Sequence, residues 1–361
     1  MGSGFEKDYI IKVCKMKIQV SLSNFLLVIL LVFGFAGVRA SNKVIIATIG
    51  VYGGSATEEE KLHPQKSVDR MIEFWKKEID IVLPSKPDMI VLTEACDRPQ
   101  SLSDDQVLAY YRVRKNQILD YFASVAKANH CYIAFGMKRD NGKGGWLNSC
   151  YLLDRKGEIA GIYNKNFPTD YEIEAGIKAD TKAPVFQCDF GTVGCAICFD
   201  LNFEEIRLKY EAVKPDIIVF PSRYHGGLMQ AYWAYSCRSF FVGAVASIGC
   251  PSEIRNPLGQ VIATSTNHFH YAVATVNLDC KLVHLDYNWD KLIALKKKYG
   301  ERVTITDPGE MGLVMITSEN ENMSAMQMIK EFDIELLDDY FARSREAVRQ
   351  ATDLDSVTKK R

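Results

Sequence analysis

The chain has 361 residues, 47% of them hydrophobic and 25% charged, with a formal net charge of −1. Such a composition belongs to a globular protein with a large apolar core and excludes a disordered or low-complexity chain. The near-zero charge balance offers no electrostatic footprint for nucleic acid as a partner.

The first forty residues stand apart. Lys12, Lys15 and Lys17 precede an uncharged stretch from Ile18 to Val38, whose apolar heart is Phe25 to Phe35. Val38-Arg39-Ala40 then places small residues at the −3 and −1 positions of a cleavage site. A basic start, an apolar middle and a small-residue exit predict a secretory signal peptide over 1–40, and with it export to the periplasm or the exterior. The alternative is an uncleaved membrane anchor, because about 20 uncharged residues just span a bilayer. The short heart, two glycines (Gly34 and Gly37) and the abrupt drop to Ser41-Asn42-Lys43 favour cleavage. Met16 is an alternative start that would leave a compact signal.

Lys43 to Ile49 is a β-branched run that predicts a strand. Lys66 to Ile79 predicts a helix, with Met71, Trp75 and Ile79 on one face. Pro87 to Glu94 reads as a strand ending in a carboxylate. A long helix is expected over Val107 to Asn129 and a strand over Cys131 to Met137. Leu147 to Leu153 and Ile159 to Asn164 pair as strands across the Arg155-Lys156-Gly157 turn. Strand Val193 to Ile197, helix Phe203 to Val213, strand Ile217 to Pro221, helix Met229 to Phe240 and strand Val242 to Ile248 follow. A hairpin-like pair closes at Tyr271 to Leu278, and helices are expected over Trp289 to Tyr299 and Met328 to Ala351. Strands and helices alternate without a Gly-rich phosphate loop, which makes this an α/β architecture with no nucleotide signature. The reading is one domain over 41–279 and a C-terminal helical extension over 280–361 that wraps the body or a partner subunit.

Ten cysteines are present and only Cys14 lies in the leader. The other nine are an odd number and sit in or beside predicted elements, as small buried residues do. Cys198 differs from them. It falls where the Val193–Ile197 strand turns into the Phe203 helix, the place where a nucleophile is presented to a pocket beside free amides. Cys195-Ala196-Ile197-Cys198 also spells a redox or half-zinc motif. Cys195 lies within the strand and points to the opposite face, however, and no second Cys or His pair completes a metal site.

Two other residues have the types that thiol-based amide hydrolysis requires. Glu94 ends an apolar strand, a dry setting that raises a carboxyl pKa and suits it to accept a thiol proton. Lys165 ends another strand and would stabilise an oxyanion. The order is Glu94, Lys165, Cys198, at spacings of 71 and 33 positions. They meet only if their strand ends converge.

Val91-Leu92-Thr93-Glu94, Tyr163-Asn164-Lys165 with Pro168, and Gly194 to Glu205 together resemble the three motifs of the carbon–nitrogen hydrolase (nitrilase) superfamily. The resemblance spans roughly Val44 to Asp279. The chain departs from the usual pattern at Thr93 and Glu204, where proline is common, and at Asn164, where arginine is. The resemblance implies a four-layer αββα sandwich, often dimeric or in higher homo-oligomers through its outer helices, and no metal or organic cofactor. It implies that Cys198 attacks an amide-type carbon while Glu94 takes its proton. Lys165 and the Phe199 backbone N–H would hold the oxyanion, and a thioester would form and then be hydrolysed. Glu172, with Glu174 as rival, matches the second glutamate that positions the substrate amide. Phe199-Asp200 after the cysteine resembles the amidase and carbamoyl-hydrolase side of the superfamily, so a small linear amide or N-carbamoyl compound is the expected substrate. Nitrile hydrolysis, acyl transfer and a catalytically silent binding role are the alternatives.

Pocket residues are less determined. Asn202, Arg223, Tyr224 and His225 follow the nucleophile or the Pro221-Ser222 strand end and are candidates for substrate contact; an Arg223 facing the pocket would favour an acidic substrate. Trp146 and Trp233 read as core or dimer-contact aromatics. His268 and His270 have no catalytic motif around them. The leader is directly testable: N-terminal sequencing of the exported protein should return Ser41 as first residue, and an intact N-terminus in a cytosolic fraction would contradict export.

Overall fold

The computed structural model describes residues 41–247 and 249–358. The predicted leader over 1–40 lies outside the described residues. Strand β1 (Lys43–Ile49) leads to the short helix α1 (Glu58–Leu62), which starts with a capping box: Thr57 accepts from Glu60 N–H and Glu60 accepts from Thr57 N–H. Helix α2 (Pro64–Val82) begins at a proline, whose missing N–H costs nothing there, and buries Val68, Met71, Trp75, Ile79 and Val82 along one stripe. Strand β2 (Met89–Val91) is shorter than the sequence suggested, and Glu94 lies in the turn that follows it.

The long helix expected over 107–129 is two helices, α3 (Asp104–Arg114) and α4 (Gln117–Asn129). Lys115 adopts φ 45° between them, a left-handed residue that no α-helix can pass through. Strands β3 (Tyr132–Asp140), β4 (Trp146–Leu153) and β5 (Ile159–Asn164), helix α5 (Asp170–Glu174) and strands β6 (Phe186–Gln187) and β7 (Thr192–Cys195) follow. After a 3-10 turn over Cys198–Asn202 come α6 (Glu204–Val213), β8 (Ile217–Ser222), α7 (Leu228–Cys237) and β9 (Phe240–Val245). Helix α7 ends three residues before the expected Phe240 because Arg238 is left-handed at φ 58°. Strands β10 (Glu253–Arg255), β11 (Val261–Thr264) and β12 (Tyr271–Asn277) close the body.

The strands form two six-stranded sheets, ordered β12-β1-β2-β3-β4-β5 and β11-β10-β9-β8-β7-β6. In each the central three strands are parallel and the outer ones antiparallel. The hairpin expected to close at Tyr271–Leu278 does not form: β11 pairs with β10, whereas β12 crosses to the other sheet and pairs with β1 over its full length. Period-2 alternation distributes the side chains. Val44, Ile46, Met89, Val91, Val193, Ile217 and Val242 meet between the sheets. Ala47, Ile49, Ile90, Ile133 and Phe135 face α2, α3 and α4, and Ile218, Phe220 and Phe241 face α6 and α7. This is the αββα sandwich.

The segment from Cys280 is not purely helical. Strands β13 (Cys280–His284), β14 (Val303–Thr306) and β15 (Leu313–Ser318) form a third sheet, ordered β13-β15-β14. The runs Val303-Thr304-Ile305-Thr306 and Leu313 to Ser318 are too short and too β-branched for helix. Helices α8 (Trp289–Tyr299), α9 (Ala325–Glu331) and α10 (Leu337–Thr358) complete it, the last two separated by a left-handed Asp333. Asp338 of α10 pairs with Lys214 and Arg238, which lie just past the C-termini of α6 and α7.

One close approach fixes the turn that carries Glu94. A Cβ on Gly136 of β3 would sit 2.7 Å from the Glu94 Cα and 2.9 Å from both the Ala95 N and the Thr93 carbonyl. Gly136 accepts from Cys96 N–H at 2.9 Å and donates to the Thr93 carbonyl at 3.1 Å. Gly136→Ala should therefore lower stability by about 1–3 kcal/mol, as overpacking of a tight core does, read from the urea unfolding midpoint. An unchanged midpoint would show that this contact is slack.

Candidate active site

Three turns converge at the same end of the sandwich. The first follows β2: the Leu92 N–H continues the ladder to the Ala134 carbonyl, the Thr93 hydroxyl donates to the Val51 carbonyl at 3.1 Å, and Glu94 precedes Ala95, which is left-handed at φ 48°. The second follows β5, where the Lys165 N–H donates to the Asn148 carbonyl. The third follows β7, where Cys198 is left-handed at φ 48° as it opens the 3-10 turn. Non-glycine residues in this conformation are strained and cluster where a side chain must be held out from a turn.

Lys165 is the centre of the cluster. Only 1% exposed, it donates from Nζ to Glu94 Oε1 at 2.9 Å and to Glu172 Oε2 at 2.7 Å. Glu172 is the third residue of α5 and also accepts from its own N-cap, Thr169, so helix start and ion cluster fix it together. Glu174 is exposed and makes none of these contacts. Two further members escaped the sequence reading. Lys138 donates to Glu172 at 2.5 Å, and Asn148 donates from one nitrogen to Glu94 at 2.7 Å and to Glu172 at 2.8 Å. Lys138 and Asn148 face one another in the β3–β4 register. A lysine and an asparagine within apolar strands were the available clue, but only the register shows that both serve one site.

Asp200 has a different role from the one its neighbour Cys198 suggests. It is wholly buried and accepts from the Tyr163 hydroxyl at 2.7 Å and from the backbone N–H groups of Ile197, Asn166 and Phe167. It thus ties the cysteine turn to the strand end that carries Lys165. Burial raises its pKa to about 6, against the Tyr163 hydroxyl, the Ile197 and Phe167 N–H groups and the Lys165 charge.

The electrostatics run against expectation for Glu94. Burial alone would raise its pKa, as the sequence suggests, but Lys165 and Lys138 overcome that and hold it below the usual carboxylate value. Glu172 is held low by the same two lysines, also against burial. Burial and the Glu94 charge push the Cys198 thiol up to about 12, although Lys165, the Arg223 N–H and the Ser222 hydroxyl act the other way. The resting site is therefore a carboxylate beside a protonated thiol.

The remaining sequence candidates divide. Arg223 and Tyr224 come to the site: both lie near enough to Cys198 to respond to a thiolate formed there, and the Tyr224 hydroxyl is buried with no partner among the described residues. Asn202 is exposed, with its amide donated to the Phe199 carbonyl. Phe199 stands in the first turn of the 3-10 segment, where backbone N–H groups have no intrahelical acceptor. Its ring packs edge-on against Phe203, which stacks on Phe167 at 3.7 Å. His225 bonds Glu253 instead of joining the ion cluster, and Trp233 is core, donating to the Leu201 carbonyl. Trp146 packs against the core as expected, beside Tyr111, and also lines a cavity of about 420 Å³ together with Arg98, Tyr111, Lys138, Glu172 and Ile177.

A sequence profile of the family described as carbon-nitrogen hydrolase matches residues 61–285. The chain belongs to the carbon-nitrogen hydrolase family. Among relatives, it is 22% identical over 228 residues to "Nitrilase homolog 2" of Dictyostelium discoideum, covering 56% of this chain and 69% of that one. It is 25% identical over 190 residues to "Deaminated glutathione amidase" of Mus musculus, covering 45% of this chain and 59% of that one, less than two thirds of the relative's length. An amidase structure from Nesterenkonia sp. shares the fold with TM-score 0.55 at 16% identity, over 73% of this chain and 98% of that one. The family match supports a hydrolase of carbon–nitrogen bonds.

The ion cluster has a pH signature. A carboxylate whose folded pKa lies below its unfolded value contributes stability above about pH 4.3, and this is lost as pH falls through the folded value. In Lys165→Met, Lys138 alone faces two buried carboxylates, and burial then raises one of them above its unfolded pKa. That variant should lose about 3–5 kcal/mol at neutral pH. Unlike its parent it should regain stability between about pH 7 and pH 5, as read from urea midpoints. Parallel pH profiles for parent and variant would show that the cluster carries no such coupling.

Proposed function

We propose that this chain is a thiol amidohydrolase that cleaves a small linear amide or N-carbamoyl compound. The observation that carries the reading is the buried Lys165 ammonium, bridging Glu94 and Glu172 beside the left-handed Cys198 turn. A thiol near pKa 12 is a poor nucleophile at rest, so deprotonation must accompany attack. As the sulfur–carbon bond forms, the thiol proton passes to the Glu94 carboxylate. The carbonyl oxygen becomes an oxyanion facing Lys165 and the Phe199 N–H. The tetrahedral centre collapses with loss of ammonia or an amine, which takes the proton from Glu94. A thioester remains on Cys198. Glu94, again a carboxylate, then takes a proton from water, the hydroxide formed attacks the thioester carbonyl, the carbon–sulfur bond breaks to release the acid, and Glu94 returns its proton to the sulfur.

Glu172 does not need to move a proton in this scheme. Locked by Lys138, Lys165 and Asn148, it stays ionised and is suited to accept from the amide N–H of the substrate. The relatives named amidases and the Nesterenkonia amidase favour amides over nitriles as the electrophile.

Ammonia release from a panel of amides, carbamoyl compounds and nitriles tests the reading. Wild type should turn over amides or carbamoyl compounds, Cys198→Ala should retain the fold with no turnover, and Lys165→Met should fall at least about 10²–10³-fold in kcat. Turnover of nitriles alone would overturn it.

A further inference from the structure

Glu172 is surrounded by donors. Its Oε1 accepts from Lys138 at 2.5 Å and from Asn148 at 2.8 Å, and its Oε2 accepts from Lys165 at 2.7 Å and from the Thr169 N–H at 3.1 Å. The two lysines therefore take opposite oxygens of one carboxylate. Glu94 is held differently: Lys165 and Asn148 both donate to its Oε1, and its Oε2 accepts from none of the described residues. Of the three N–H donors on the Lys165 ammonium, two are engaged and one is left for an incoming oxygen.

Lys138 is the member that the reaction has not used. It is 7% exposed, and burying a second ammonium is costly unless its charge is met. Among the described residues it forms an ion pair with Glu172 alone. Burial lowers its pKa, while Glu172 on α5 and Glu94 after β2 act the other way and Lys165 after β5 adds to the lowering. Arg98, Tyr111, Asp104 and Glu174 border the cavity that Lys138 also lines, the two carboxylates being exposed at its rim. Arg223 faces Glu94 and the sulfur from the end of β8, whereas the charges that hold Glu172 low are those of Lys138 and Lys165.

The charges can be followed through the attack. At rest the hydrogen-bonded set holds two carboxylates and two ammonium groups. As the sulfur bonds to the carbonyl carbon, the thiol proton passes to Glu94 and the carbonyl π pair moves onto oxygen. Glu94 becomes neutral, the oxyanion carries its former charge, and Glu172 stays negative. The sum is unchanged, but Lys165 now lies between two anions. Two anions drawing on one ammonium would divide its stabilisation between them. Because Lys138 sits on the far oxygen, Glu172 has a counter-charge of its own.

We propose that Lys138 is a positioning residue of the reaction, the resident counter-ion of Glu172, which frees the Lys165 charge for the oxyanion as Glu94 accepts the thiol proton. The proposal rests on the amidohydrolase reading and deepens it. Lys138 acts through Glu172 and moves no proton.

The test is a double-mutant cycle between Lys138 and Glu172, with the amide that wild type hydrolyses fastest as substrate. Lys138→Met should lower kcat by about 10- to 10²-fold, less than the loss of a direct oxyanion donor, with a smaller change in KM. Removing a counter-charge that holds the carboxylates low raises their pKa values, so the acid limb of kcat/KM should move up by about 1–3 pH units. Lys138→Gln keeps a donor without the charge and should fall as far, whereas Lys138→Arg should recover most of the rate. Lys138→Met/Glu172→Gln removes one charge of each sign and keeps the set neutral. Its kcat should lie within about threefold of Glu172→Gln alone, because the competitor for Lys165 is already gone. Infrared difference titration between about pH 7 and pH 4 needs no substrate. A protonated carboxyl band should appear at higher pH in Lys138→Met than in wild type and be lost from the double variant. Unchanged kcat and acid limb in Lys138→Met, or an equal loss in the Glu172→Gln background, would overturn the role of Lys138 while leaving amide hydrolysis standing. A shifted infrared titration without turnover of any amide by wild type would instead overturn the amidohydrolase reading and keep Lys138 as the counter-ion of Glu172.

Discussion

A lysine with almost no exposure, held between two carboxylates, is the constraint on which the rest of this structure depends. Burying Lys165 alone would be prohibitive, and so would burying Glu94 and Glu172 without it. Together with Lys138 they form a set whose charges cancel, and Asn148 occupies the remaining acceptor directions. None of the five can leave without stranding another. The set also spans β3, β4, the end of β5, α5 and the turn after β2, so correct assembly of one sheet is a condition for satisfying it.

The second sheet is joined to this set by a different device. Asp200 draws three backbone N–H groups and a tyrosine hydroxyl onto one carboxylate, and these come from both strand ends that matter. The cysteine turn is therefore positioned by main-chain hydrogen bonds, which tolerate little displacement. The strain of a left-handed Cys198 is offset by that clamp and by the packing of Phe199, Phe203 and Phe167.

Much of this was legible in the sequence, for physical reasons that differ by element. The strands that flank the site read clearly because both their faces are buried, leaving continuous apolar runs. Glu94, Lys165 and Cys198 stood out because each ends such a run. Glu172 was preferred over Glu174, and the structure places Glu172 in the cluster and leaves Glu174 in solvent. Lys138 and Asn148 were missed because their meeting depends on β3–β4 register, which no local pattern encodes. The same limit explains the crossing of β12 to the first sheet. The broken helix at Lys115 was missed because a left-handed lysine carries no mark of its own, unlike glycine. Glu94 was misjudged electrostatically since a dry strand end is visible in sequence and two distant lysines are not.

The high thiol value of Cys198 has a consequence beyond turnover. Oxidants and electrophilic reagents act on thiolates, and their selectivity among cysteines follows thiolate population and access. Here the half-exposed sulfur keeps its proton near neutrality, and the other cysteines of the described residues are free thiols, most of them buried. In the proposed reaction the reactive form arises only when an electrophilic carbon lies beside Glu94. Reactivity is thereby conditional on occupancy.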